Sequence, residues 1–368
     1  MKILMTADAV GGVWQYSTDL ARGLSRLGVE TVLAVSGPSP TAAQAEAASA
    51  VEGVTLLDTG LPLDWLADDS ASVERAGKAV AKLAQRHRAD IVQLNAPALA
   101  ASVSFDQPVV AVAHSCVATW WAAVKRERLC EEFRWRADLT ARGLEAADVV
   151  VAPTDAFAKA TEEAYRLKRR LVTVHNGRAP LALPERAQHD CGFTAGRLWD
   201  KGKNVATLDR AAARLPFPLY AAGPTRGPNG DSVGLEHVHG LGSLGDKDMG
   251  RWLAARPVFV SAAVYEPFGL AVLEAAQAGC ALVLSDIPTF RELWHGVAAF
   301  VDPMDSEAFA KTIGLVVGDE FARAQMGRAA QERASQFTVE AMAAKMARIY
   351  DSLAARPEPV RPRNMVAA

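Results

Sequence analysis

Residues Pro257 to Ser285 read PVFVSAAVYEPFGLAVLEAAQAGCALVLS. An apolar run from Val258 gives way to a Pro267–Gly269 turn, a helical stretch from Leu270, a glycine at 279 and a second apolar run, Ala281 to Ser285. Strand, turn, helix and strand in 29 residues form a parallel βαβ unit, whose strands are covered on both faces. Only Glu266 and Glu274 are charged in this segment, where the chain-wide fraction of 22% would place about six charges. Carboxylates are seldom buried unless paired, so these two are poor candidates for packing and read as a site. The strand is predicted to run to Val264 with Glu266 at its end. Glu274 then lies one turn into the helix, with Gln277 on the same face.

Outward from this unit the same alternation fills the chain. Before it, strands are predicted at Lys2–Ala7, Glu30–Val35, Val54–Thr59, Asp90–Asn95, Pro108–His114, Asp148–Ala152 and Leu171–Val174. A second series runs through Phe193–Ala195, Pro218–Ala222, Val238–Leu241, Val258–Ala262, Ala281–Ser285 and Ala298–Val301. Helical patterns fit between them, so the expected fold is α/β with two doubly wound parallel sheets. The first helix follows Gly11-Gly12, carries Leu20, Leu24 and Leu27 on one face and ends near Gly28. Gly177 to Asp190, with prolines and little periodicity, reads as a linker. A last helix beyond Phe337 carries Met342, Met346, Ile349 and Leu353 on one stripe, and the proline-rich residues 356–363 cannot continue it.

A net charge of -2 with interspersed signs supplies no one-sign field for nucleic acid or an anionic membrane, and nucleic-acid binding is not expected. Cysteines at 116, 130, 191 and 280 have neither zinc-site spacing nor the density of a disulfide scaffold, which suits reduced thiols in a cytoplasmic protein. No apolar run approaches the roughly 18 residues of a membrane helix, and no secretory h-region follows the first strand. The stretch WWAAVKRERLCEEFRWR, Trp120 to Arg136, mixes tryptophan and arginine on what reads as one helix. Its charges nearly cancel, so it is expected to be solvated or packed between domains rather than docked on a membrane.

Open parallel sheets bind ligands at the carboxyl ends of their strands, and four strand-to-helix turns stand out there. Gly11-Gly12 lets backbone approach a ligand before a helix N-terminus, or is simply a tight turn. His114 ends a strand, as a hydrogen-bonded structural residue or as a catalyst. Arg197, with Lys201 or Lys203, sits beside glycines after Ala195, which suits diphosphate as well as a solvated turn. At the fourth turn the amides of Phe268, Gly269 and Leu270 open a helix between the two carboxylates, an anion seat flanked by groups that accept from sugar hydroxyls.

EPFGLxxLEA, the E-x7-E motif, together with the glycine pair, the His turn, the G-R-L-x-x-K turn and the N-G linker, resembles family 4 of the retaining glycosyltransferases, in order from Met1 to about Leu353. The resemblance implies a GT-B fold: two Rossmann-like domains facing a cleft, with the C-terminal helix crossing back to the first. Residues 1–178 with 338–368 would form the acceptor domain and 190–337 the nucleotide-sugar domain. It further implies that Arg197 and Lys203 neutralise a donor diphosphate, Glu266 holds a donor-sugar hydroxyl and Glu274 holds the ribose. Phe268 to Leu270 would touch sugar and phosphate through their amides. Gly11 and Gly12 would face the diphosphate and the acceptor, and His114 the donor sugar. Base recognition would fall on backbone near Gly242 to Gly245.

Departures from the family pattern are visible. Lys201 and Lys203 stand four and six positions after Arg197 where the family usually has five, and the K-N pair favours Lys203. Pro288-Thr289 stands where relatives often carry two glycines, which leaves Asp286 and Arg291 weak candidates. Neither a His/Cys/Asp cluster nor a D-x-D at strand ends suggests a metal, Asp68-Asp69 lying in a polar helix start. No cofactor is expected, only a nucleotide-sugar co-substrate, with UDP favoured. The rival expectations are a hydrolase or phosphorylase using Glu266 and Glu274 as an acid/base pair, and a non-catalytic sugar-binding shell.

Overall fold

Ile3, Leu4 and Met5 have no exposed surface in the computed structural model, which describes residues 1–355. A strand buried on both faces belongs in the middle of a parallel sheet, and this one does. Strands β1 (Lys2–Asp8), β2 (Glu30–Ser36), β3 (Val54–Asp58), β4 (Ile91–Leu94), β5 (Val109–Val112), β6 (Val149–Ala152) and β7 (Val172–Thr173) form one parallel sheet in the order β3-β2-β1-β4-β5-β6-β7. Helices α1 (Gly12–Ser25), α2 (Ala42–Ser49), α3 (Ser70–Arg86), α4 (Val117–Val124), α5 (Glu131–Ala146) and α6 (Asp155–Tyr165) connect them.

The second sheet comprises β8 (Gly192–Ala195), β9 (Leu219–Ala222), β10 (His239–Gly242), β11 (Val258–Ser261), β12 (Leu282–Ser285) and β13 (Ala299–Val301), in the order β10-β9-β8-β11-β12-β13 and again parallel. Its helices are α7 (Val205–Ala212), α8 (Asp246–Ala254), α9 (Leu270–Gln277), α10 (Pro288–Trp294), α11 (Ser306–Gly318) and α12 (Glu320–Ala334), and α13 (Val339–Ala354) closes the described chain. Each sheet has an apolar core on both faces. Strand order reverses between β1 and β4 in one sheet and between β8 and β11 in the other, and such switch points open the crevices where doubly wound sheets bind ligands.

Helix α13 buries Met342, Met346 and Leu353 in the core that holds Leu20 and Leu24 of α1, so the last helix packs on the first sheet, not on the one that precedes it. Gly23 makes the crossing close: a Cβ there would lie 2.6 Å from the Cβ of Ala343 and 2.9 Å from Cγ1 of Val339. The proline-rich 356–363 lies outside the described residues.

Three local expectations are corrected. Leu27 is 53% exposed and lies past the end of α1, where the chain turns back with the Leu27 amide donating to the Leu24 carbonyl. Strand β11 stops at Ser261, so Glu266 stands in the following loop, because the amides of Val264 and Tyr265 leave the sheet and bond the Gly202 carbonyl at 2.9 and 3.2 Å. The Trp120–Arg136 stretch is two helices, α4 and α5, broken at Arg126 (φ 55°), and Trp121 is only 9% exposed. Among the described residues no helix is long and apolar enough to cross a membrane.

Candidate active site

The two switch points face each other. A Cβ on Gly11, between β1 and α1, would lie 3.7 Å from Nη1 of Arg197, and one on Gly12 would lie 3.4 Å from Cδ1 of Leu270. The glycine turn thus meets both the basic turn after β8 and the N-terminus of α9. Gly269, with φ 92°, occupies the left-handed region that favours glycine and caps α9, with Glu266 Cγ 3.3 Å from the position of its missing Cβ. Phe268 is buried in the core below.

Lys203 and Glu266 form an ion pair, Nζ to Oε2, at the edge of a narrow recess shared with Gly196, Ser261 and Val272. Lys203 ends a single helical turn (Lys201–Lys203) whose leading residue, Asp200, accepts from the Gly202 amide at 2.8 Å. Asp200 also accepts from Nη2 of Arg197 at 3.2 Å and from Nε1 of Trp120 at 3.0 Å. Trp120 sits on α4 of the other sheet, so one carboxylate fixes the basic turn and ties it across the cleft. Lys201 is exposed and has no side-chain partner among the described residues. The Thr289 hydroxyl, where the family often has glycine, donates to the Glu266 carbonyl at 2.7 Å. Asp286 and Arg291 pair with each other through two 2.7 Å bonds, both exposed.

Glu274 is not unpaired. Its Oε1 accepts from Nε of Arg178 at 2.7 Å. Arg178 reaches Asp19 on α1 at 3.0 Å and Asp246 on α8 at 3.4 Å, while Gln277 donates to its carbonyl at 2.8 Å. Burial opposes the charge on Arg178, but Glu274, Asp19 and Asp246 win and raise its pKa. Burial raises the Glu274 carboxyl above its usual range, and Arg178 pulls it back. Neither glutamate is therefore a bare carboxylate, and the expectation that such acids do not pack is corrected: each is half-sequestered by its own cation. Oε2 of Glu274 has no hydrogen bond among the described residues.

His114 belongs to a partly buried polar network on the first sheet. Its Nε2 lies 3.0 Å from Oδ1 of Asn95, whose Nδ2 already donates to the Thr6 carbonyl at 2.7 Å and to the Ser17 hydroxyl at 2.9 Å. Oδ1 is therefore the acceptor, Nε2 carries the proton and Nδ1 keeps a free lone pair. Burial pushes the imidazole pKa down to about 3, so the ring is neutral. Burial raises the Asp8 carboxyl, against the pull of the Val10 and Gly11 amides and of Arg197, and pushes Asp64 up to about 6. Among the described residues no three His, Cys, Asp or Glu side chains are grouped to hold a metal.

The comparisons decide the family. Residues 10–179 match Glycosyltransferase Family 4, and residues 189–319 match Glycosyl transferases group 1. The chain belongs to these GT-B glycosyltransferases. A D-inositol 3-phosphate glycosyltransferase of Corynebacterium urealyticum is 28% identical, over 58% of this chain and 58% of that protein. Among solved structures, the glycosyltransferase is similar to sucrose-phosphate synthase of Thermosynechococcus elongatus, with TM-score 0.76 and 18% identity over 96% of this chain and 99% of that one. Anabaena HepE in complex with UDP-glucose superposes with TM-score 0.74 at 22% identity over 96% and 100%. WaaG, a glycosyltransferase involved in lipopolysaccharide biosynthesis, gives 0.71 at 15% over 95% and 99%. At these identities the structural matches carry the fold alone.

In this glycosyltransferase the structure brings together Gly11, Gly12, Arg197, Lys203, Glu266, Gly269 and Leu270. Sequence reasoning missed Asp200, Trp120, Asn95 and Arg178. Arg178 followed the N-G pair directly, but nothing local distinguished it from a solvated linker arginine.

Proposed function

We propose that this glycosyltransferase moves a hexosyl group, with retention and without a metal, from a nucleoside-diphosphate sugar to a hydroxyl acceptor. The observation that carries the reading is the Lys203–Glu266 pair beside Arg197, facing the Gly11-Gly12 turn across the cleft. The second sheet is then the donor side and the first the acceptor side, divided at residues 178–190. UDP is the favoured nucleotide, in keeping with the UDP-glucose bound by the similar HepE. The setting is cytoplasmic glycan or glycoconjugate synthesis, with no cofactor.

Departure of a nucleoside diphosphate builds negative charge on phosphate oxygens, and fixed donors aimed there are the cheapest catalysis available. Arg197, held by Asp200, and Lys203 supply those donors. The bond from the anomeric carbon to the phosphate oxygen breaks, the bond to the acceptor oxygen forms on the same face, and the leaving phosphate takes the acceptor proton. Glu266 holds a sugar hydroxyl once Lys203 turns to phosphate. Glu274 offers Oε2 to the ribose while Arg178 holds Oε1, and backbone near Gly242 to Gly245 reads the base. Neutral His114 offers Nδ1 as an acceptor to a donor-sugar hydroxyl. An acid/base pair is disfavoured because each glutamate already faces a cation.

Glu266→Gln keeps the shape of the side chain and removes its charge. Transfer is expected to fall by at least about a hundredfold while UDP binding by calorimetry stays within a few fold. Wild-type turnover in the variant would sink the role of Glu266.

A further inference from the structure

At the opposite end of the strands of the second sheet, a cavity of about 440 Å³ opens between the linker, the ends of α8 and α9, and α12. It precedes β8 and β12, whereas the donor site follows β8 and β11. Four-residue strands separate the two by roughly 13 Å of sheet.

Four arginines line this cavity: Arg186 from the linker, Arg256 after α8, and Arg323 and Arg328 from α12. Arg186, Arg256 and Arg328 are exposed and have no side-chain hydrogen bond or ion pair among the described residues. Arg323 is 5% exposed and locked, its Nη2 donating to Asp190 at 2.7 Å. Its Nη1 is buried with no partner, a costly state for a charged donor. Against these cations the lining offers one carboxylate, Glu185. Arg186, Arg256 and Arg328 thus come from three elements to line one cavity without a paired carboxylate, whereas the charge of Arg323 is met by Asp190.

We propose that this cavity binds a phosphate monoester, at a site separate from the donor cleft. Guanidinium forks match phosphate oxygens bidentately and tolerate partial burial better than ammonium. The volume is that of a small-molecule pocket. Alanines 254, 278, 281 and 324 make up much of the remaining lining and leave room for the small organic part of such an ester. The site also connects to the start of the linker: Gln331 lines the cavity and donates to the Gln277 carbonyl at 2.8 Å, and Gln277 donates to the carbonyl of Arg178.

The test is calorimetry of the full chain with glycerol 2-phosphate, with sulfate as the comparison anion and UDP as a check on the fold. The Arg256→Glu/Arg328→Glu double variant is expected to bind glycerol 2-phosphate at least about tenfold more weakly than wild type, with UDP affinity unchanged within about twofold. Sedimentation with phosphatidic-acid vesicles separates the sources. Vesicle binding lost in the double variant, without binding of the soluble ester, assigns the phosphate to a lipid headgroup. Equal affinity in wild type and variant, sulfate binding as tight as the ester, or no binding in either assay at millimolar phosphate overturns the proposal.

Discussion

Lys203 has two claims on its charge. In the described state it pairs with Glu266, and in the proposed reaction it turns to a leaving diphosphate. Lys201, on the same turn, has no such neighbour among the described residues. Lys203→Ala should therefore weaken UDP binding by about tenfold, the scale of one charge-assisted contact, and Lys201→Ala by much less. Calorimetry giving the reverse order would reassign the phosphate lysine. The motif glutamates were legible because two acids in an apolar βαβ unit are conspicuous. Their cations were not equally so. Lys203 was visible as part of a basic turn, whereas Arg178 meets Asp19, Glu274 and Asp246 at sequence separations of 159, 96 and 68. Only the fold brings such partners together.

At the scale of elements, strands were the most readable features, since those buried on both faces leave unbroken apolar runs. The end of β11 differs from the expectation because Ala262 to Val264 remain apolar while the amides of Val264 and Tyr265 turn to the Gly202 carbonyl. Hydropathy records burial and is blind to which carbonyl a backbone amide meets. The α1–α13 crossing was expected from the stripe on the last helix, but its closeness depends on Gly23. Gly23→Ala sets two effects against each other. Helix propensity favours alanine by up to about 1 kcal/mol, while a contact of 2.6 Å to the Ala343 Cβ forces the helices apart. Overpacking typically costs about 1–3 kcal/mol, so a net loss is expected, with partial recovery on adding Ala343→Gly. A variant as stable as wild type in urea unfolding would show that the crossing has slack.

Across the whole molecule, the two sheets are tied at several points near the cleft. The Thr154 hydroxyl donates to the Pro267 carbonyl at 3.0 Å, and the Tyr265 hydroxyl lies 2.9 Å from that of Thr119. Glu292 on α10 accepts from the amides of Asp155 and Ala156, at 2.9 and 2.7 Å, at the N-terminus of α6. Burial raises the Glu292 pKa, but His175 and those amides prevail and lower it. A carboxyl lowered on folding stabilises fully above its unfolded pKa, and that stability is lost as pH falls through the folded value. The Tm difference between wild type and Glu292→Gln should thus be constant near neutrality and shrink below the ordinary glutamate range. A difference that grows on acidification would contradict the cap.

The donor reading of the cleft is exposed most directly by incubating the protein with a panel of nucleotide sugars and measuring nucleotide release, with and without a metal chelator. Slow, chelator-insensitive release from a UDP-hexose, lost in Glu266→Gln, is the predicted result. Release from no nucleotide sugar, or release that Glu266→Gln leaves intact, would contradict it.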